Sequence, residues 1–150
     1  MKKINGDLIK FAKDGTFDVI VHGCNCFNTM GAGIALQIKQ NFPEAWEVDR
    51  HTIKGYKNKL GHYTKYTYYN YPNKLTVVNA YTQFKPGSNP LGENYTFIRS
   101  CFRKIAEAFP DKKIGIPAIG SGLAGGDFNT IWDIIEEETK DLDITMVIYG

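Results

Sequence analysis

The feature of this sequence that most restricts its fold is a design used twice: a short apolar run, a glycine-rich turn, then a stretch of helical periodicity. The first copy is VIVHGCNCFNTMGAGIALQIK, with Gly31 and Gly33 just ahead of the helical part. The second is IGIPAIGSGLAGGDFNTIWDII, with Gly120, Gly122, Gly125 and Gly126. A buried strand that feeds a helix through a tight turn is the unit of α/β folds, where helices cover both faces of a sheet. Glycine lets backbone approach a ligand and adopt φ > 0. A helix N-terminus adds unpaired N–H groups and a partial positive charge. Two such turns at strand ends can hold a diphosphate without lysine or arginine. For either loop alone, a plain tight turn is the competing reading.

The rest of the chain supports the same class. Asp18–His22 reads as a buried strand, and Gly31–Phe42 as a helix with Ile34, Ala35, Ile38 and Phe42 on one face. Pro43 opens a second helix, PEAWEVDRHTI. Gly61–Thr67 and Leu75–Tyr81 read as strands around YPNK, and Asn94–Phe109 is the clearest helix, with Ile98, Cys101, Phe102, Ile105 and Phe109 at helical spacing. Lys113–Ile119 reads as a strand, Phe128–Thr139 as a helix and Ile144–Tyr149 as a closing strand, while Gln83–Glu93 is a loop punctuated by Gly and Pro. The expected architecture is α/β, with helices on both faces of a mixed sheet.

Composition narrows the function. The chain has 150 residues, 43% hydrophobic and 23% charged, which predicts one globular domain over 1–150. Three cysteines, an odd number, argue against a secreted disulfide framework. MKKINGDLIKFAKDG has no apolar run of signal-peptide length, and no apolar run is long enough to cross a bilayer, so a cytoplasmic chain with no membrane partner is expected, working as a monomer. The net charge of +2 sets up no global field that demands nucleic acid. Gly120-Ser-Gly122-Leu-Ala-Gly125 satisfies the dinucleotide pattern, with Asp141 and Asp143 about 20 residues on. Yet one helix and one strand follow it, whereas that motif opens the first βαβ unit of a Rossmann enzyme. A P-loop is absent, and His22, Cys24 and Cys26 in H-x-C-x-C do not match usual zinc spacing. Neither cofactor nor metal is expected.

Charge is unevenly spread. Arg50 to Lys85 holds seven Lys/Arg and no acid, with six tyrosines from Tyr56 to Tyr71, while Asp127 to Asp143 holds seven acids against Lys140. Lysine interleaved with tyrosine over Lys54–Lys74 can contact nucleic acid. Its alternation, HYTKYTYY, favours strands whose alternate aromatics pack on the helix PEAWEVDRHTI.

Four segments in order, GDL at Gly6–Leu8, HGCN at His22–Asn25, MGAGIA at Met30–Ala35 and IPAIGSGLAGGDF at Ile116–Phe128, resemble the macro domain family along essentially the whole chain. The resemblance implies a three-layer α/β/α module that binds ADP-ribose. In it Asp7 would accept from the adenine amino group beside the backbone of Leu8, and Asn25 would sit by the distal ribose. Met30, Gly31, Ala32, Gly33 and Ile34 would form the first phosphate loop. Gly120, Ser121, Gly122, Leu123, Ala124 and Gly125 would wrap the diphosphate from the other side, and Tyr149 would pack on the adenine.

MGAGIA is similar to the branch that contains ADP-ribose 1''-phosphate phosphatases and hydrolases of terminal and DNA-linked ADP-ribose. The hydrolases use a lysine at the end of the central strand, where this chain has Thr82 or Gln83, and an acid near Ala124. Those departures speak against lysine chemistry. They leave His22, Asp127 and Asn25 as candidate catalytic residues for release of a 1''-phosphate: His22 for acid–base work, Asp127 to orient a water or the histidine, Asn25 to place the ribose. Competing readings stay open: Asp127 as a helix N-cap, His22 as a buried histidine, Cys24 and Cys26 as packing residues. The expected partners are ADP-ribose or ADP-ribose 1''-phosphate. A non-catalytic ADP-ribose reader and a hydrolase acting on ADP-ribosylated protein or nucleic acid are the alternatives.

Overall fold

The computed structural model describes residues 1–71, 73–90, 92–120 and 125–150. Among them, six strands form one sheet: β1 (Lys2–Gly6), β2 (Val19–Cys24), β3 (Tyr63–Tyr71), β4 (Asn73–Tyr81), β5 (Lys113–Ile116) and β6 (Asp143–Tyr149). Their order is β1-β6-β5-β2-β4-β3. The first five in that order run parallel, and β3 returns antiparallel on β4 at the far edge. The helices are α1 (Leu8–Lys13), α2 (Gly33–Asn41), α3 (Pro43–Arg50), α4 (Glu93–Ala108) and α5 (Phe128–Glu138).

The strand pleat sorts the core into two. Val19 and Val21 of β2 and Val78 of β4 face α4 and α5, where they meet Ile98, Phe102, Ile105, Ile131 and Ile135. Ile20 and Val77 face the other way, toward Leu8, Ile38, Phe42 and Ala45 on α1, α2 and α3. Strands buried on both faces read as unbroken apolar runs, which is why β2 was legible as a strand. The three layers are α/β/α, as the sequence predicts. Each fully buried Ile or Phe of α4 contributes about 1.5–3 kcal/mol of apolar transfer.

Periodicity did not reveal β1 and α1. β1 is an exposed edge strand whose identity comes from its parallel pairing, Ile4 opposite Val147. α1 has only six residues and is set by its cap: Asp7 Oδ1 accepts from the backbone N–H of Ile9 at 3.0 Å. Several boundaries also shift: the helix from Pro43 ends at Arg50, β3 runs over Tyr63–Tyr71, and two shifts concern the turns beside the sheet's C-terminal edge. β5 stops at Ile116, ahead of Pro117, which has no N–H to continue a ladder, and α2 begins at Gly33 because Ala32 is extended, with φ −151° and ψ 159°.

One irregularity of the sheet makes room for a site. β2 pairs with β4 along its whole length, from Val19 opposite Thr76 to Cys24 opposite Tyr81. With β5 it pairs only at Val19–Ile114 and Ile20–Gly115. Beyond that the two strands part toward their C-terminal ends. The helix after β2 covers one face and the helix after β5 the other, so the gap lies at a topological switch point, where open α/β sheets bind ligands.

Candidate functional site: a two-part cleft at the strand C-termini

Five parallel strands end on one edge of the sheet, and the turns that follow them border two cavities. The first, about 330 Å³, is lined by Gly6, Asp7 and Leu8 after β1, by Val147, Ile148 and Tyr149 at the end of β6, and by Pro117 and Ala118 after β5. It is an apolar slot with one carboxylate, Asp7, and Tyr149, 78% exposed, is among its lining residues. The second, about 450 Å³, is bounded by Gly23, Cys24, Asn25 and Thr29, by the Gly31–Ala35 turn, and by Gln83, Gly87 and Gly120. None of the described residues that line it is an acid, a lysine, an arginine or a histidine. Gly33 and Ile34 belong to both cavities and join them.

The junction is the N-terminus of α2. Its N-cap, Ala32, makes no side-chain hydrogen bond to the first turn, so the first amides of this helix lack a side-chain partner and face the cleft. Gly33 has φ +56°, and a Cβ there would meet nothing within 4 Å. Glycine is therefore demanded by the backbone conformation, and the space beside it is open. Across the gap the second glycine loop is closed at its neck: the N–H of Gly126 donates to the carbonyl of Gly120 at 2.8 Å. A Cβ on Gly126 would sit 2.6 Å from that oxygen. Ser121, Gly122, Leu123 and Ala124 lie outside the described residues.

The cleft thus gathers Asp7, Leu8, Gly33, Ile34 and Tyr149 at one end, and Asn25, Gly31, Ala32 and Gly120 at the other. Asn25 is held by its own turn: Oδ1 accepts from the N–H of Phe27 at 2.8 Å and Nδ2 donates to Thr29 Oγ1 at 2.8 Å. Gly125 is left-handed, with φ +79°, but lines neither cavity. Met30 does not line them either; its side chain is 2% exposed and packs in the core beneath α2.

Neither His22 nor Asp127, the candidates for acid–base chemistry, lines either cavity. His22 lies on the side of β2 that carries Ile20 and Cys24, two residues short of the strand's end, and its ring is held in the layer under α3. It is 1% exposed, and Nε2 lies 2.7 Å from Oδ1 of Asn79. Asn79 Nδ2 in turn donates to the carbonyl of Ala45 at 3.0 Å. Burial pushes the imidazole pKa down to about 4, so the ring is neutral at physiological pH. Asp127 is the N-cap of α5: Oδ2 accepts from the Thr130 N–H at 2.9 Å and from the Thr130 hydroxyl at 2.8 Å, and these bonds hold its carboxyl below the usual range. Asp127→Ala is expected to lower the melting temperature by a few degrees and to leave ligand affinity within twofold, checked by thermal denaturation beside calorimetry.

Residues 21–135 match the family model of the macro domain. The chain belongs to the macro domain family. A 17.5 kDa uncharacterized protein of Enterobacteria phage T4 is 36% identical over 152 residues, which is 98% of this chain and 95% of that protein. An ADP-ribose 1''-phosphate phosphatase of Aspergillus oryzae is 39% identical over 57 residues, 38% of this chain and 27% of that enzyme. Among solved structures, Thermosipho africanus DarTG in complex with ADP-ribose superposes with a TM-score of 0.75 at 20% identity, over 98% of this chain and 40% of that one.

In this macro domain, sequence reasoning missed part of the cleft. Gln37 lines the first cavity, and Thr29 and Gly87 the second, outside the four family segments, while Pro117, Ala118 and Cys24 also line them from within those segments with no ligand role predicted for them. Gln83 had a signal, its place at the end of the central strand. Its Nε2 donates to the carbonyls of Lys85 at 3.0 Å and Gly87 at 3.3 Å, which pins the loop after β4 against the cavity. Thr82 is 1% exposed and lines neither cavity. Burial pushes the Cys24 thiol well up, so it stays protonated.

Proposed function

We propose that this macro domain binds ADP-ribose along the joined cavities and hydrolyses its 1''-phosphate ester. The adenine occupies the first cavity, its amino group toward Asp7 and its ring against Tyr149. The diphosphate lies over the uncapped amides of α2, and the distal ribose fills the second cavity. One observation carries this reading: an apolar slot with a single carboxylate and a neutral polar chamber meet at a helix N-terminus without a side-chain cap. The Thermosipho structure holds ADP-ribose, which supports the ligand. The partial likeness to the Aspergillus phosphatase supports the 1''-phosphate.

The distal chamber offers Asn25, Thr29, Gln83 and backbone amides. In it, water attacks phosphorus as the bond from phosphorus to the 1''-oxygen breaks, and the departing 1''-oxygen takes up a proton from water to leave as the hydroxyl. Release relies on orientation of ester and water and on amide donors to the charge on the phosphoryl oxygens. The same neutrality favours a second reading, a reader that binds ADP-ribose without turnover. Calorimetry with ADP-ribose tests the shared part, and micromolar binding is the expected result; no heat with ADP-ribose rejects both readings. Phosphate release from ADP-ribose 1''-phosphate separates them: release supports the hydrolase, and binding without release leaves the reader. Tyr149→Ala is expected to weaken ADP-ribose by about 2–10-fold, the worth of one ring stacking contact of about 0.5–1.5 kcal/mol. Ribose 5-phosphate, which has no adenine, should bind both proteins alike.

A further inference from the structure

Behind the wall of the second cavity lies a buried polar cluster that the reading above does not use. Lys59 is 8% exposed, and its Nζ donates to Asn28 Oδ1 at 2.7 Å and to Thr52 Oγ1 at 2.9 Å. It also lies 5.2 Å from the ring centroid of Tyr81, whose hydroxyl donates to the buried carboxylate of Asp49 at 2.7 Å. An ammonium is withdrawn from water only where partners compensate it. Here the charge is compensated by the nearby Asp49 carboxylate, and the ammonium protons are taken up by Asn28 and Thr52.

Asn28 is the one non-glycine among the described residues with a left-handed backbone, at φ +59°. Its amide is saturated: besides the bond from Lys59, Oδ1 accepts from the Thr52 hydroxyl at 3.1 Å, and Nδ2 donates to the carbonyls of Thr52 at 2.7 Å and Arg50 at 3.4 Å. A second tie, from the N–H of Gly55 to the carbonyl of Cys26 at 2.7 Å, fastens the same turn to the same segment. Asn25 and Thr29, on either side of Asn28, line the cavity and bond each other, whereas Lys59, Thr52 and Asn28 line neither cavity. A strained residue persists only where its surroundings over-determine it.

We infer that Lys59 and Thr52, acting through Asn28, are positioning residues that hold the 25–29 turn in the shape that receives the ribose-bearing, distal half of the ligand. This inference rests on the proposed binding of ADP-ribose. The adenine end, built by β1, β5, β6 and the start of α2, shares no residue with the clamp.

The test compares two ligands. AMP carries the adenine and one phosphate and probes the first cavity; ADP-ribose probes both. Lys59→Met and Asn28→Gly, singly and together, are measured by calorimetry, with thermal melts to verify folding. Glycine accepts the left-handed backbone, so Asn28→Gly removes the clamp without strain and keeps the test open if Lys59→Met fails to fold. ADP-ribose affinity is expected to fall about 10-fold in each single variant, with AMP within twofold, and the double variant is expected to be no worse than either single. Parallel loss of both ligands, unchanged ADP-ribose binding, or losses that multiply in the double variant would each overturn the inference. A wild-type protein that fails to bind ADP-ribose would instead overturn the proposed function, before any variant is made.

Discussion

Gly33→Glu is expected to abolish ADP-ribose binding, with an affinity loss of more than about 100-fold. Two effects add. A side chain at φ +56° costs about 1–2 kcal/mol in the left-handed region. The larger one is electrostatic: the open space around this residue sends a carboxylate into the junction of the two cavities, beside the uncapped amides proposed to hold the diphosphate. Two like charges about 4 Å apart in a partly screened site repel by about 4 kcal/mol. Gly33→Ala separates the two, since it carries the backbone cost and no charge, and should weaken binding by no more than about 5–30-fold. Calorimetry decides the matter; micromolar affinity in the glutamate variant would remove the diphosphate from this turn.

The second large effect concerns stability rather than turnover. His22→Ala leaves Asn79 Oδ1 buried without its partner and opens a void in the layer under α3, a cost of about 2–4 kcal/mol. The imidazole also gives folding a pH dependence of definite sign. Its folded pKa, about 4, lies below the ordinary value of 6.5, so its contribution is fully present above 6.5 and is lost as pH falls toward 4. The slope is about 1.4 kcal/mol per pH unit inside that window, or about 2 kcal/mol between pH 7 and pH 5. Asp49 opposes it, since burial raises its carboxyl and its protonation favours the fold in acid. Glu138, held low by Arg103 and Arg99, and Asp127, held low by Thr130, add their losses only below the ordinary carboxylate range. Urea denaturation at pH 7 and pH 5 should show a pH dependence about 2 kcal/mol smaller in His22→Gln than in the wild type, with equal ADP-ribose affinity at pH 7. An unchanged pH dependence, or lost affinity with intact stability, would return His22 to the cleft.

His22 also shows where sequence reasoning stops. In the chain it stands three residues from Asn25, which does line the cleft. Along β2, however, side chains alternate between faces, and His22 points with Ile20 toward α3 while Val19 and Val21 point toward α4. The pleat alone does not decide it, because Cys24 shares that face and lines the second cavity; His22 lies two residues deeper in β2, bonded to Asn79. Asp127 is the opposite case: its position one residue before an apolar helical period made it legible as a cap, and the structure uses it so. In the tyrosine-rich segment, alternation foretold packing. Tyr68 meets Phe42 beside α3, while Tyr63 meets Phe109 across the sheet; Tyr69 stays 71% exposed. Lys59 gave no sign at all, because one lysine among seven basic residues looks like its neighbours until the tertiary fold withdraws it from water.

What local chemistry dictates was readable from the chain alone: the alternation of strands and helices, the glycines that end strands and begin helices, and the cap at Asp127. Each depends on backbone conformation and side-chain reach within a few residues. What only the tertiary structure decided is which of these groups meet. The early parting of β5 from β2, the pairing of an exposed β1 with β6, and the seating of the 25–29 turn on Lys59 all join residues dozens of positions apart. Those contacts exist because burial is settled by the whole packed chain and by no segment of it.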